Sequence, residues 1–248
     1  MDSRPHRGEG FTLLELAISL ALVVALLAVL LPALATARVT SARDRCADHL
    51  HRFGGAWTMY LQDHAGAFPY VPTQPAWHYA GVRFSTVNGE AFPDAQRPLT
   101  PYVPEMTIED ETHVLRCPAD RGITGETTGV GTGSRTAFRS YGTSYRASAA
   151  LMDASIAGLT DAHRGLRRAE ITTVPSRLVL MGDPLWFEIR ERTDRDAVWH
   201  GDADRANLLF LDGSVKYMQI RPRPRVGPAV FEPRVRGVDP VVETSPGS

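Results

Sequence analysis

Residues 11–31, near the N-terminus, read FTLLELAISLALVVALLAVLL. This stretch contains one charged residue, Glu15, and neither glycine nor proline. At about 1.5 Å per residue, a helix of this length covers roughly 30 Å, the thickness of the hydrocarbon core of a bilayer. The core helix of a soluble protein is the alternative, but such a helix rarely stays apolar on every face for so long. The stretch therefore predicts a membrane-inserted helix.

The residues before this stretch predict its orientation. Arg4, His6 and Arg7 precede it, and positively charged flanks stay on the cytoplasmic side of a membrane. The rest of the chain would then lie outside the cytoplasm. A cleaved secretory signal fits less well, because its apolar core is shorter and its small residues follow that core. Here Gly8 and Gly10 stand before the apolar stretch.

Glu15 is out of place in this apolar stretch. A carboxylate near the start of a membrane helix costs about a few kcal/mol and usually has a partner. No cationic side chain occurs within residues 11–31. Two interpretations stay open: the side chain reaches back to the membrane surface, or a positive group from elsewhere, such as a new N-terminal amine, pairs with it.

Residues 10–15, GFTLLE, resemble the cleavage and methylation motif of type IV pilins and type II secretion pseudopilins. In that family a prepilin peptidase cuts after the glycine and methylates the new first residue, which implies cleavage after Gly10 and methylation of Phe11. The resemblance also implies that Glu15 pairs with the N-terminal amine of a neighbouring subunit. Pro32 falls where many pilins carry a helix-weakening proline. The implied protein is a structural filament subunit that is not an enzyme.

The resemblance implies a location and a set of partners. The protein would cross the bacterial cytoplasmic membrane once, with a short cytoplasmic N-terminus and a periplasmic or extracellular globular domain. Its partners would be the prepilin peptidase, the membrane and other pilin-like subunits. No cofactor is expected, and a formal net charge of -1 gives no reason to expect nucleic acid as a partner.

Beyond the apolar stretch the pattern becomes amphipathic. Between residues 38 and 64, apolar residues recur at gaps of three and four, as they do on one face of a helix. These residues are Val39, Ala42, Cys46, Leu50, Phe53, Trp57 and Tyr60. Gly66 and Pro69 predict the end of the helix. We therefore expect one helix from Phe11 to about Asp63, whose second half supports a globular domain.

The clearest strand patterns lie towards the C-terminus. Three runs predict strands: Arg177–Met181, Asn207–Leu211 and Ser214–Ile220. The last two flank Asp212-Gly213, a strong hairpin signal. Residues 121–144 predict a surface loop, and Arg146–Leu159 predicts a short helix.

The expected fold class is α+β, with a long N-terminal transmembrane helix that continues as the spine of a small antiparallel β-sheet, pilin-like domain. The expected segments are a leader (1–10), a transmembrane and assembly helix (11–37), an amphipathic extension (38–66), a globular domain (67–220) and a partly disordered Pro/Arg-rich tail (221–248).

The globular part resembles a second, narrower group: prepilin-type proteins with a C-terminal His-x9-Asp-Gly signature. The matching blocks are residues 37–69, Cys117–Asp120 (CPAD), Ser140–Gly142 (SYG), Ile171–Asp183, and His200 with Asp212-Gly213. The spacing in this chain is eleven residues rather than nine, an insertion around Gly201–Arg205. The resemblance implies the pilin-like class again, but it implies no mechanism for the globular half.

A cation site is one further hypothesis for this region. His200, Asp202, Asp204 and Asp212 could together bind calcium, although no EF-hand pattern is present and Asp212 has a sufficient role in the turn. No metal is therefore predicted. The sequence also lacks a P-loop, a GxGxxG and a GxSxG motif. A membrane-tethered hydrolase would have only the histidine and these aspartates to support it.

The two cysteines and the aromatic residues leave alternatives open. Cys46 and Cys117 could form a disulfide between helix and domain, or Cys46 could be a buried thiol on the apolar face. A second hypothesis for function makes the globular half a surface ligand-binding, adhesin-like module. Trp77, Tyr79 and the 121–144 loop would then form its site, with core packing as the alternative for the aromatic residues.

Overall fold

The structure is a computed structural model that describes residues 12–72, 75–81, 86–87, 90–91, 97–103, 114–123, 136–159, 163–191, 197–220 and 232–236. The chain forms two compact units that divide between Ser41 and Ala42. One helix, α1 (Leu13–Asp63), supplies residues to both units. The two units are taken in turn.

The described part of the first unit is helical and apolar. Every residue from Thr12 to Ser41 is exposed, and the exposed fraction of its large apolar side chains ranges from 38% at Val39 to 87% at Leu13. The helix continues through Pro32, where the Thr36 hydroxyl donates to the proline carbonyl at 3.1 Å. The expected weakening at this proline therefore does not interrupt the helix. By length and composition, this helix could cross a membrane.

In the second unit, the remainder of α1 buries one face. The buried residues are Cys46, His49, Leu50, Phe53, Gly54, Ala56, Trp57, Tyr60 and Leu61. The predicted apolar stripe is thus confirmed from Cys46 to Tyr60, whereas Val39 lies in the first unit and is exposed. The helix ends as predicted at Asp63, and Ala65 and Gly66 then adopt positive φ values of 50° and 76° that turn the chain.

The described part of the second unit contains a four-stranded antiparallel sheet with the order β3-β4-β5-β6. Its strands are β3 (Arg146–Ala147), β4 (Val179–Gly182), β5 (Arg205–Phe210) and β6 (Val215–Gln219). A separate two-stranded hairpin comprises β1 (Thr86–Val87) and β2 (Glu90–Ala91). The short helices are α2 (Ala137–Tyr141), α3 (Ala149–Met152) and α4 (Pro184–Glu191). The α+β layout is therefore confirmed.

The predicted hairpin at Asp212-Gly213 joins β5 and β6. Gly213 has a φ of 82°, and the Asp212 carboxylate accepts from the Ser214 amide at 3.0 Å and from its hydroxyl at 2.6 Å. These local bonds set the β5–β6 register, in which Leu209 pairs with Val215. The short-range signal in the sequence was sufficient here because every group involved lies within three residues.

Two predicted elements were wrong in part. The strand predicted from Arg177 begins at Val179, because Pro175–Arg177 forms a 3-10 turn before it. Arg146–Leu159 was predicted as one helix, but it forms β3, then α3, then turns. Pairing with β4 places Arg146 opposite Gly182, so a tertiary contact overrides the local preference for helix.

The helix α1 packs against β5 at Gly54, and β4 approaches β5 closely at Gly182. A Cβ at Gly54 would lie 3.1 Å from Leu209 Cδ1, and one at Gly182 would lie 2.5 Å from the Asn207 carbonyl oxygen. Asn207 Nδ2 also donates to the Arg43 carbonyl at 3.4 Å. These contacts position α1 beside the end of β4 and the start of β5.

Part of the predicted C-terminal tail packs on the second unit. Val235 is buried and forms a β-bridge with Ile171. The amide of Thr172 donates to the Arg234 carbonyl at 2.8 Å, and the amide of Arg236 donates to the Glu170 carbonyl at 2.9 Å. Residues 232–236 thus belong to the folded domain, and the rest of the 221–248 tail lies outside the described residues.

Candidate functional site

The start of α1 holds Glu15 in a capping box. The amide and hydroxyl of Thr12 both donate to Glu15 Oε2 at 2.9 Å, and the Glu15 amide donates back to the Thr12 hydroxyl at 3.2 Å. Thr12 is thereby the N-cap residue of the helix. This role was not predicted, although TLLE, residues 12–15, is itself the signature of a capping box. Gly10 and Phe11 lie outside the described residues.

A disulfide joins Cys46 of α1 to Cys117 of the 114–123 segment. The two Cα atoms are 5.2 Å apart, and the exposed fractions of the two residues are 0% and 1%. The sequence left a disulfide and a buried thiol at Cys46 as alternatives, and the structure contains the disulfide. It also places that bridge inside the core, so that it ties the helix to the rest of the second unit.

A histidine and an aspartate lie beside the disulfide. His200 Nε2 is 3.6 Å from Cys117 Sγ and 3.2 Å from Asp183 Oδ2. The same Oδ2 accepts from the Asn207 amide at 2.8 Å, and the Asp183 amide donates to the Asn207 carbonyl at 3.0 Å. Asp183 follows β4 and Asn207 lies in β5, so the pairing of these strands orients the carboxylate towards the imidazole.

Hydrogen bonding in this site is incomplete. Asp183 Oδ1, His200 Nδ1 and Asn207 Oδ1 are buried, and none has a hydrogen-bond partner among the described residues. Each such atom costs about 1–3 kcal/mol when it is removed from water without a partner. A disulfide alone requires no polar neighbours. We therefore take Cys46, Cys117, Asp183 and His200 as the candidate site.

Two titratable side chains beside the site, Tyr145 and His49, have pKa values that are shifted by burial. Tyr145 Oη donates to the Cys46 carbonyl at 3.4 Å, and burial, with help from the negative charge of Asp183, raises the tyrosine pKa well above its usual value. His49 Nδ1 lies 3.0 Å from the Arg116 carbonyl oxygen, and burial lowers the pKa of this histidine. Asp183 and His200 therefore lie in an apolar, poorly hydrated part of the core.

The geometry differs from that of a cysteine or serine hydrolase. In a catalytic triad the imidazole uses one nitrogen for the nucleophile and the other for the carboxylate. Here Cys117 and Asp183 both approach Nε2 of His200, and the sulfur is already bonded to Cys46. The hydrolase hypothesis thus finds no suitable arrangement at His200.

The four side chains of the hypothetical cation cluster, His200, Asp202, Asp204 and Asp212, do not converge on one point. Asp202 accepts from the Tyr217 hydroxyl at 2.8 Å, Asp204 accepts from Gln219 Nε2 at 2.6 Å, and Asp212 caps its turn. These carboxylates form hydrogen bonds with residues of the β5–β6 hairpin, whereas the His200 side chain is buried in the core. Within the described part of the chain, the ligand atoms that converge are those of Cys46, Cys117 and His200, all within 4.8 Å of one another.

The aromatic residues of the ligand-binding hypothesis lie in the core. Trp77 is 8% exposed and stacks on Tyr141 with ring centroids 4.3 Å apart. Tyr79 is fully buried, and its hydroxyl donates to the Tyr145 carbonyl at 2.8 Å. The core-packing alternative is therefore confirmed for these two residues. Residues 124–135 of the proposed binding loop lie outside the described residues.

Asp120, the last residue of the CPAD block, has a structural role that the sequence did not reveal. Its carboxylate accepts from three amides, those of Gly122, Ala137 and Phe138, and from the Ser144 hydroxyl, at 2.6–2.9 Å. It thereby joins the 114–123 segment to the start of α2. Because Asp120 lies 17 residues before Ala137, no local pattern could have identified it as the cap of that helix.

No family model, no curated protein and no solved structure matches the chain. Three of the sequence blocks described above nevertheless lie together in the fold. Cys117 comes from the CPAD block, Asp183 ends the 171–183 block, and His200 begins the C-terminal signature. The fold brings these three separate blocks into one buried cluster.

Proposed function

We propose that the protein is a membrane-anchored, pilin-like subunit that assembles into a type IV pilus-like or secretion pseudopilus-like filament after cleavage by a prepilin peptidase. The observation that supports this proposal is the exposed apolar helix of the first unit, whose first turn carries Glu15. Its apolar side chains need a non-aqueous environment, which lipid supplies before assembly and neighbouring subunits supply afterwards.

The size of this exposed apolar surface supports burial of the helix in lipid or against other subunits. Fifteen large apolar residues from Leu13 to Val39 are exposed. At about 1.5 kcal/mol or more for each side chain, their transfer out of water is worth on the order of 20 kcal/mol. The membrane anchor accounts for this surface in a single subunit, and a helical bundle accounts for it in a filament.

The disulfide supports a location outside the cytoplasm for the second unit. Bridges such as Cys46–Cys117 persist in oxidising compartments and are rare in the cytosol. This agrees with the basic residues Arg4 and Arg7 before the helix, which favour a cytoplasmic N-terminus. Both observations favour a single-pass orientation with the globular domain in the periplasm or beyond.

Processing is the first test of the proposal. The full chain is expressed with and without a prepilin peptidase, and its intact mass is measured after extraction from membranes. We expect the peptidase to remove residues 1–10 and to add one methyl group to Phe11. A matched Gly10→Val chain should stay uncleaved. If the wild-type chain also keeps its leader in the presence of the peptidase, the pilin-like proposal fails and the helix is a plain anchor.

Assembly is the second test, and the capping box makes its design specific. Glu15→Ala removes both the cap and the negative charge, whereas Glu15→Gln retains an acceptor for the Thr12 amide and removes only the charge. If Glu15 pairs with the amine of a neighbouring subunit, both variants insert and are cleaved but fail to enter filaments. If Glu15→Gln assembles normally and Glu15→Ala does not, the residue acts only as a cap, and the pairing role is refuted.

A further inference from the structure

We propose that the protein, before its disulfide forms, binds one zinc ion through Cys46, Cys117 and His200, with Asp183 in the fourth position, and that formation of the disulfide releases the ion. This inference goes beyond the filament role and does not depend on it. It rests on the convergence of two sulfur atoms and one imidazole nitrogen in the core of the second unit, with the Asp183 carboxylate in contact with that imidazole.

The spacing of the candidate ligand atoms suits zinc. Zn–S bonds are about 2.3 Å and Zn–N bonds about 2.0–2.1 Å, so ligand atoms around a tetrahedral ion lie roughly 3.3–3.8 Å apart. Cys117 Sγ and His200 Nε2 are already 3.6 Å apart. The Sγ atoms of Cys46 and Cys117 and Nε2 of His200 all lie within 4.8 Å of one another.

The fourth ligand is Asp183. Its Oδ2 lies 3.2 Å from His200 Nε2, and its Oδ1 is buried without a partner among the described residues. A metal ion at Nε2 would give this carboxylate a cation to bind. It would also move the imidazole proton to Nδ1, where it fixes the tautomer that binds metal through Nε2. The ion therefore accounts for the Asp183 oxygen, while Nδ1 of His200 and Oδ1 of Asn207 stay without a partner among the described residues.

The donor set selects the kind of metal. Two thiolates and an imidazole suit zinc, which also accepts a carboxylate oxygen, whereas calcium and magnesium take oxygen ligands. The two thiolates offset the charge of the ion in this buried cluster, and the Asp183 carboxylate adds one further negative charge. This cluster differs from the acidic cluster first considered, since it shares only His200 with it.

Atoms and electrons balance in the exchange of zinc for the disulfide when a small-molecule disulfide is the oxidant. The newly made chain carries two thiols, and binding of Zn²⁺ releases their two protons. A small-molecule disulfide then oxidises the site: the Cys46–Cys117 bond forms, the S–S bond of the oxidant breaks, two protons are taken up to give two thiols, and Zn²⁺ leaves. The zinc form and the disulfide form therefore exclude each other, because both use the same two sulfur atoms.

Cobalt titration tests this proposal in the full chain. The protein is purified in detergent, one portion is reduced with a phosphine under anaerobic conditions, and the phosphine is removed before titration with Co²⁺. We expect one equivalent to bind to the reduced protein, with a thiolate-to-cobalt charge-transfer band and the intense visible bands of tetrahedral cobalt. Zinc should displace it. The oxidised protein should show neither band.

Variants separate the proposed site from adventitious binding. His200→Ala should weaken cobalt binding by more than about tenfold, and Asp183→Asn should change the visible bands. His163→Ala is the matched control, because this histidine is exposed and contacts Tyr70 rather than the disulfide. It should leave the titration unchanged.

Three results would overturn the proposal. They are absence of thiolate bands in the reduced wild-type protein, equal binding by the oxidised protein, and equal weakening by His163→Ala and His200→Ala. If His200→Ala does not fold, the comparison of reduced with oxidised wild-type protein decides the matter by itself.

Discussion

Removal of the buried disulfide gives the most quantitative test of how the second unit is held together. The perturbation is the double change Cys46→Ala with Cys117→Ala. The bridge closes a loop with a sequence separation of 71 residues. Loop-closure entropy for this length corresponds to about 4.4 kcal/mol at 25 °C, since the unfolded chain regains the freedom that the bridge removes. We expect the free energy of unfolding to fall by about 4 kcal/mol.

The tryptophans of the second unit provide the assay. Trp57, Trp77, Trp186 and Trp199 are all buried there, so their fluorescence reports the unfolding of this unit. Urea unfolding of the full chain in detergent micelles should show a midpoint about 1.5 M lower for the double variant, if the slope is near 3 kcal/mol per M. A metal chelator is present throughout, so that bound zinc does not contribute.

Reduced wild-type protein is the matched control, because it lacks the bond but retains both sulfur atoms. The Ala variant also loses packing around each sulfur, so it should be somewhat less stable than the reduced protein. A loss of less than about 1 kcal/mol in both would refute the reasoning. It would mean either that the unfolded chain is already compact near this loop or that the bridge adds little to the core.

Four further outcomes follow from local geometry, each measured by the same unfolding assay. Gly165→Ala should destabilise by about 1–3 kcal/mol because its Cβ would lie 2.2 Å from the Phe68 carbonyl oxygen; equal stability would contradict that geometry. Gly55→Ala, with nothing within 4 Å of its Cβ, should instead stabilise α1 by about 0.5–1 kcal/mol, and a loss would show a hidden contact. Asp120→Ala should cost at least about 3 kcal/mol, because two buried amides and the buried Ser144 hydroxyl lose their acceptor; a cost under about 1 kcal/mol would argue against the cap. Burial lowers the pKa of His49 from 6.5, so below that pH the unfolded chain binds a proton that the folded chain does not. Stability should therefore decrease as the pH falls through 6.5, and His49→Gln should remove that dependence; an unchanged slope in the variant would assign it to another group.

The fold could be predicted where the determining interactions are local. The exposed apolar helix, the stripe from Cys46 to Tyr60 and the end of α1 at Asp63 follow from residue type and a 3.6-residue period. The turn at Asp212-Gly213 follows from bonds within three residues. In each case the information lies in a window of a few turns or less, which a sequence displays directly.

Elements that depend on contacts between residues far apart in the sequence were not predicted. Arg146 and Ala147 have no strong strand pattern of their own and form β3 because β4 supplies hydrogen-bond partners more than thirty residues away. Asp120 caps a helix across 17 residues, and its loop partners cannot be read from spacing. The strand expected at Arg177 started late because Pro175 lacks an amide hydrogen and begins a 3-10 turn.

The difference between local interactions and contacts across the chain also applies to the candidate site. From the sequence alone, the N-terminal stretch determined that this protein carries an apolar helix with a single carboxylate, because composition and period are properties of neighbouring residues. Only the tertiary structure placed Cys117 against His200, 83 residues away, and brought Asp183 to the same imidazole. The pairing of β4 with β5 and the packing of α1 on that pair decide which polar groups are enclosed together. Such enclosure depends on the whole core, so no pattern within one segment encodes it.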